Sequence, residues 1–440
     1  MTGLEIGLIS VVLILVLIYS GMYVPVALGL VSFLSVWYLR GSTEAPIYLL
    51  TLAASSGLEQ YYFGVIPLFV LMGLIVSQCE LGRDIYEVSN FLLRKVRGGL
   101  GVATVAANTA FAAITGVSIA SASVFARVSV PEMRRFGYNK RFAVGVVAGS
   151  SVLGMLIPPS VMLIIYAIVV EESVAAMFKA GIFPGLLLAS AYIALIVGMA
   201  VFFPKVIGGQ DAESRAFAES YGDLSFKEVV SKLAPFMTLI LLVLGGIYGG
   251  LFTPTEAGAV GALGAFVIAI IKRKLDKAVL WKVLSETGHI VASLLLLIVA
   301  ATMYSRMLAI SGLPAEFGAW IAAADLGLTT ILVIYVITLI IMGTILDTTS
   351  IILIMVPLFL PVMMPYDVDI IWFGIITIVG AEIGLLTPPL GISCYVIKAT
   401  LPDKDISLWD VFAGAFPFAV TMLLVLIVLI IFPEISLVLL

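Results

Sequence analysis

The sequence predicts an all-α polytopic membrane protein, built as an inverted-topology repeat with two re-entrant hairpins and two broken helices. Three observations predict it. Of 440 residues, 62% are hydrophobic and only 11% charged, with a mean hydropathy of +1.22, whereas soluble domains carry about 25% charged residues. Apolar runs of about 20 residues, enough to span a bilayer, recur along the whole chain. Two of these runs carry adjacent prolines at matching places, Pro158-Pro159 and Pro388-Pro389.

The first interrupted run reads Gly-Ser-Ser-Val-Leu-Gly-Met-Leu-Ile-Pro-Pro-Ser over residues 149–160. Proline donates no backbone hydrogen bond and its ring clashes with the preceding turn, so the helix is expected to open near Gly154. Bare carbonyls at membrane depth survive only against protein or a watery cavity. The motif returns as Gly-Leu-Leu-Thr-Pro-Pro-Leu-Gly over residues 384–391. Paired interruptions of this kind point to the binding site of a secondary transporter.

The first repeat covers residues 1–203. Scaffold helices fill residues 1–80, with spans at 4–20, 22–39 and 62–79 and a polar-to-mixed stretch before the third. Residues 81–97 alternate charge with apolar side chains, as an interfacial arm helix does. Residues 98–131 are rich in Gly, Ala, Ser and Thr and form a hairpin with its tip at 115–123. A broken helix at 139–170 and a crossing at 174–203 follow. Residues 204–232 are a polar loop. The second repeat, residues 233–440, has scaffold helices at 233–310 with spans at 233–250, 255–271 and 290–310. It continues with an arm at 313–324, a hairpin at 329–365 with its tip at 343–350, a broken helix at 370–398 and a last span at 409–432.

The repeat is visible as an offset near 230. Gly82, Pro131, Gly154 and the first proline pair match Gly312, Pro361, Gly384 and the second pair. Pro25, Gly29, Gly181 and Pro184 match Pro254, Gly258, Gly414 and Pro417 within a few residues of that offset. With the N-terminus outside, of 23 basic residues only Arg40, Lys179 and Arg306 fall outside, as expected when cytoplasmic loops collect Lys and Arg. Residues 204–232 are then cytoplasmic, both termini periplasmic, and the two hairpins enter from opposite faces.

Other classes are excluded or set aside. No Gly-x-x-x-x-Gly-Lys-[Ser/Thr] loop is present for an ATP-driven pump. Hairpins that block both ends do not make a channel, and no nucleic-acid partner is expected. The first apolar run lacks the basic flank and cleavage site of a signal peptide. Cys79 and Cys394 are expected to pack, since two cysteines make no disulfide framework. His289, the lone histidine, is placed near a span end in a structural role.

Four motifs then carry a resemblance. They are Pro131-Glu-Met-Arg-Arg-Phe-Gly-Tyr-Asn-Lys-Arg-Phe142, Leu156-Ile-Pro-Pro-Ser160, Gly246-Ile-Tyr-Gly-Gly-Leu-Phe-Thr-Pro-Thr-Glu-Ala257 and Glu382-Ile-Gly-Leu-Leu-Thr-Pro-Pro389. Across essentially the full chain the sequence resembles the large membrane subunit of TRAP (tripartite ATP-independent periplasmic) transporters. Two places depart from the family pattern. Thr115-Gly-Val-Ser118 stands where Ser-Gly-Ser-Ser is common, and Gly380 where Asn is frequent.

The resemblance implies no enzyme but an elevator-type member of the ion-transporter superfamily. It implies a sodium-driven importer of an organic acid, carboxylate or sulfonate, in the bacterial inner membrane. It also implies two protein partners, a small four-helix membrane subunit and a periplasmic substrate-binding protein. The alternative is a stand-alone sodium- or proton-coupled carrier of the same superfamily.

Sodium entering the bilayer exchanges water for protein oxygens. Two or more sites are expected. One combines Gly116 and Ser118 with Ser150, Ser151, Gly154 and Ile157. The other combines Asp347, Thr348 and Thr349 with Gly384 and Thr387. Substrate contacts are expected from Thr115, Ser118, Ser121, Ser123, Thr348, Thr349 and Ser350, with Arg127 either drawing the anion or reaching the cytoplasmic face. Asp347 is either a ligand or a helix cap, and Glu382 either hydrogen-bonds the hairpin backbone or touches ion or substrate. Glu256 is expected to cap a helix after Thr253.

Overall fold

A computed structural model describes residues 2–59, 64–208, 224–324, 326–401, 403 and 405–440. The regular secondary structure of these residues is helical, joined by one isolated bridge between Tyr138 and Gly208. The first half runs α1 (Gly3–Tyr19), α2 (Val24–Arg40), α3 (Glu44–Glu59), α4 (Val65–Gln78), α5 (Leu81–Leu93), α6 (Gly99–Thr115), α7 (Ser118–Arg135), α8 (Lys140–Ser151), α9 (Leu153–Leu156), α10 (Val161–Val170) and α11 (Val174–Phe202). The second runs α12 (Phe226–Tyr248), α13 (Pro254–Ile271), α14 (Lys277–Ser311), α15 (Leu313–Ala323), α16 (Leu328–Gly343), α17 (Thr348–Met363), α18 (Ile370–Leu385), α19 (Ile392–Thr400) and α20 (Leu408–Ile431).

Among the described residues, six helices are long and apolar enough to cross a membrane, or up to eight if each bent pair is one span. Helix starts recur at the offset seen in the sequence. Ser118 and Lys140 begin α7 and α8, and Thr348 and Ile370, 230 residues on, begin α17 and α18.

Several boundaries differ from expectation. The mixed stretch after residue 39 is helix α3, nucleated where the Ser42 hydroxyl accepts the Glu44 amide at 3.1 Å. The span expected at 290–310 is a 35-residue helix, because Asp276 caps it and accepts the Val279 amide at 2.7 Å. Its polar first turns continue the helix rather than forming a loop. His289 therefore lies inside α14, exposed, with Nδ1 2.7 Å from the Ser285 carbonyl. Helix α12 begins within the expected loop, where Ser225 and Glu228 form a reciprocal cap. Most of that loop, residues 209–223, lies outside the described residues. Thr253 and Glu256 cap α13 in the same way, as expected.

The helices pack as a frame and a bundle. In the frame α2 and α3 lie on α14, and α4 lies on α13. In the bundle α6, α7 and α8 pack on one another, α8 packs on α20, and α16 and α17 pack on α18. Helices α8 and α20 approach so closely that a Cβ on Gly145 would lie 2.1 Å from the Gly414 carbonyl oxygen. Small residues permit such backbone contact. At the same crossing Asp410 pairs with Lys140 at 2.9 Å and Arg141 at 2.8 Å.

Helix α5 bridges the two parts. It turns 64° from α4 and packs on α6 and α12. Its acidic residues pair with the frame, Glu87 with Lys232, Asp84 with Lys272, and Glu80 with Lys274 at 2.8 Å. The Glu80–Lys274 pair is exposed and contributes about 0–1 kcal/mol, while the Glu87 and Asp84 pairs are half-buried and tie α5 more firmly to the frame. Cys79 and Cys394 are buried and free, as packing residues.

Candidate functional site

The first hairpin turns within two residues. Helix α6 ends at Thr115, Gly116 takes φ +61°, Val117 is extended, and α7 starts at Ser118. The expected tip of 115–123 is therefore shorter, because Ser118, Ser121 and Ser123 already belong to α7. Gly116 rests on the helix break. Its carbonyl accepts the Val161 amide at 3.2 Å, and a Cβ there would lie 2.3 Å from the Pro159 oxygen.

That break comes later than expected. Gly154 lies inside the helical turn α9, and the chain extends at Ile157, with ψ 124°. The cause is the restriction a proline places on the residue before it. Ser160 starts α10 again. Its hydroxyl donates to the Met155 carbonyl at 2.5 Å and accepts the Leu163 amide at 3.5 Å. Gly154 lies under the tip, its Cβ position 3.3 Å from the Val117 carbonyl carbon.

Asn108 ties three helices together. Its amide donates to the Ser150 hydroxyl at 2.7 Å, its oxygen accepts the Ser121 hydroxyl, and all three residues are buried. Sequence reasoning missed it. The available signal was a single amide side chain among residues 98–131. Ser150 also donates to the Val146 carbonyl at 2.7 Å, Ser151 to Ala148 at 2.8 Å and Thr115 to Phe111 at 3.0 Å. Ser118 differs, because its Oγ is buried with no partner among the described residues. Ser123 is half-buried. Arg127 is exposed and lines a cavity of about 450 Å³ with Arg83, Arg94 and Glu132, among residues that do not include either tip.

The second tip is built with a carboxylate. Asp347 is the N-cap of α17, accepting the Ser350 amide at 3.3 Å and the Ser350 hydroxyl. Thr348 donates its hydroxyl to Glu382 Oε1 at 2.6 Å, while Glu382 Oε2 is buried without a partner among the described residues. Glu382 thus meets a hairpin side chain rather than hairpin backbone. The Thr344 carbonyl accepts the Leu390 amide at 3.1 Å, so this tip also sits on a break. Gly343 and Gly384 let α16 and α18 touch, with a Cβ on Gly384 only 2.4 Å from the Gly343 Cα. Thr387 is half-buried and donates to the Ile383 carbonyl at 2.6 Å.

The two halves interlock. Helix α17 packs on α10 and α7 on α19, and the Thr349 hydroxyl meets the Met162 sulfur at 3.5 Å. Among the described residues no three His, Cys, Asp or Glu side chains gather as a metal cluster. Hydroxyls, carbonyls and single carboxylates are the hard oxygen donors on offer. A hydroxyl that donates a hydrogen bond keeps lone pairs for a cation.

A family model described as "Tripartite ATP-independent periplasmic transporter, DctM component" matches residues 11–435. The chain is 33% identical to the C4-dicarboxylate TRAP transporter large permease protein DctM of Pseudomonas aeruginosa, covering 86% of each chain. It is 29% identical to the sialic acid TRAP transporter large permease protein SiaM of Vibrio cholerae, over 96% of each. It is 30% identical to the isethionate TRAP transporter permease protein DctMQ of Oleidesulfovibrio alaskensis, over 87% of this chain and 59% of that one. The solved YdaH transporter of Alcanivorax borkumensis matches in fold, with TM-score 0.64, 14% identity and 89% of each chain covered.

Proposed function

Because the chain belongs to the DctM family of TRAP transporters, where it is the large permease component of a multi-pass membrane transporter and not an enzyme, we propose that it imports an organic acid by sodium-coupled alternating access. The frame acts as a fixed scaffold, and the hairpin bundle moves against it as an elevator between opposed halves of an inverted repeat. The relatives named above transport C4-dicarboxylates, sialic acid or isethionate, which supports a carboxylate or sulfonate here. A small four-helix subunit and a periplasmic binding protein complete the system in the bacterial inner membrane, with both termini periplasmic.

One observation carries this reading. Each hairpin tip is tied by backbone to a helix break, Gly116 to Val161 and Thr344 to Leu390, and each has at or beside it a buried oxygen without a partner among the described residues, Ser118 Oγ and Glu382 Oε2. Unpaired oxygens at such depth are costly and suit a dehydrated cation. Sodium at the first tip meets neutral oxygens from Gly116, Ser118, Ser150, Ser151, Gly154 and Ile157. At the second it meets Asp347, Thr348, Thr349, Gly384 and Thr387, with Glu382 added by its free oxygen. The acid lies between the tips against Thr115, Ser118, Ser121, Ser123, Thr348, Thr349 and Ser350.

The test is uptake into vesicles that hold both membrane subunits, with loaded binding protein outside. A sodium gradient alone is expected to drive accumulation. Accumulation under a proton gradient alone would overturn sodium coupling, and undiminished uptake without binding protein would favour a stand-alone carrier.

A further inference from the structure

We propose that Arg306 is the anchor of a receiving site for an organic anion, at the seam between frame and bundle and one helical turn from the second hairpin tip. This rests on the carrier reading above and adds a residue and a place to it.

A cavity of about 240 Å³ lies at that seam. Its frame wall holds Arg306, Ser305 and Thr302 of α14 and Ser56 of α3. Its bundle wall is apolar, with Ile168 of α10 and Leu353 of α17, and Glu171 also lines it. The frame wall therefore sets three hydroxyls around a guanidinium beside the apolar Ile298 and Ala301, and the bundle wall suits a hydrocarbon body.

Arg306 occupies an apolar helix and is charged at any working pH. Its Nη2 donates to the Ser56 hydroxyl at 3.3 Å, but its Nη1 is buried with no partner among the described residues. A buried guanidinium nitrogen without an acceptor calls for a ligand that brings one. Glu171 does not serve. It is exposed, sits past α10 at φ +59°, and forms no ion pair with Arg306 among the described residues. The planar fork of arginine fits the paired oxygens of a carboxylate or sulfonate.

Position gives the site its use. Leu353 lies four residues along α17 from Thr349, about 6 Å of helix. At that turn the Thr349 hydroxyl meets the Met162 sulfur of α10 at 3.5 Å. An anion held at Arg306 thus stands in a cavity that Leu353 lines, about one helical turn from the second tip.

The test reads local charge without needing the natural substrate. Ser305→Cys is introduced into the full chain in detergent with the small subunit; Cys79 and Cys394 are buried and stay silent. Labelling by an anionic sulfonatoethyl methanethiosulfonate is compared with a cationic trimethylammonium analogue. The anionic reagent is expected to react about tenfold faster relative to its rate on a free thiol, with saturation as a bound complex forms. Arg306→Gln abolishes bias and saturation; Arg306→Lys keeps the bias and loses saturation. Glu171→Gln strengthens the bias and serves if Arg306→Gln fails to fold. Equal rates with Arg306 present, or bias surviving Arg306→Gln, would overturn the proposal. Neither result bears on sodium-driven uptake, so the two readings fail separately.

Discussion

The two helix breaks share a proline pair, a cis peptide between the prolines and a hairpin tip, yet they sit in different surroundings. At the first, residues 151–160 are all buried, and Ser160 caps the helix that resumes. At the second, Pro388, Pro389 and Leu390 are exposed, and α19 resumes from Gly391 at φ +47° with no side-chain cap. Identical local chemistry opens both helices. Packing then encloses one break and leaves the other at a surface. The alternating-access reading proposed above calls for such inequality, since a carrier with two equally accessible breaks leaks.

The largest expected difference is in labelling. A cysteine at Leu390 should react with a membrane-impermeant maleimide orders of magnitude faster than one at Ile157. Equal rates in purified protein would show that the two breaks do not differ in solution.

Backbone crowding separates the breaks next. Gly116→Ala places its Cβ against the Pro159 carbonyl, at positive φ, and should cost about 3 kcal/mol from strain and overpacking. Gly391→Ala, also at positive φ, meets the edge of the Phe412 ring at 2.5 Å and the Leu385 carbonyl oxygen at 3.2 Å, softer contacts than backbone at 2.3 Å, so about 2 kcal/mol is expected. Unfolding in detergent measures both, and the reverse order would contradict the packing described.

A third contrast is chemical. The first tip is braced by the neutral Asn108 network, the second by Glu382. Asn108→Ala should lower stability by about 2 kcal/mol through orphaned hydroxyls and, because it releases the proposed sodium ligand Ser150, should shift the sodium dependence of uptake by less than loss of a carboxylate does. Glu382→Gln should raise the half-saturating sodium concentration about tenfold, a change of 1.4 kcal/mol. A sodium dependence unaltered by Glu382→Gln would remove that carboxylate from the ion site.

The smallest effect concerns the cap. Ser160→Ala should cost about 1 kcal/mol, while Leu390→Ala, at the uncapped break, should fall within about 0.5 kcal/mol. Both are read by the same unfolding measurement.

Much of the fold was legible because its signals are local. Prolines announce the breaks, Thr253 announces a helix start, and long apolar runs announce spans, whereas the starts at Asp276 and Ser225 were passed over. Helix α3 escaped because its mixed composition resembles a loop until Ser42 and Glu44 are seen to start a helix. The first break was placed early because glycine drew attention to Gly154, whereas the restriction acts on Ile157, directly before proline. The candidate site was legible as tips and breaks, but its wiring was not. Asn108 meets Ser150 across 42 positions of sequence, and Thr349 meets Met162 across 187.

What the sequence determined by itself was where helices must fail and which stretches prefer lipid to water. Both follow from single residues, a missing donor on proline and the transfer energy of apolar side chains. What only the tertiary structure decided was which of two equivalent breaks is enclosed, and which buried oxygens and guanidinium nitrogen are left without partners among the described residues. Those properties belong to surfaces brought together from distant parts of the chain, and a run of residues contains no record of what will cover it.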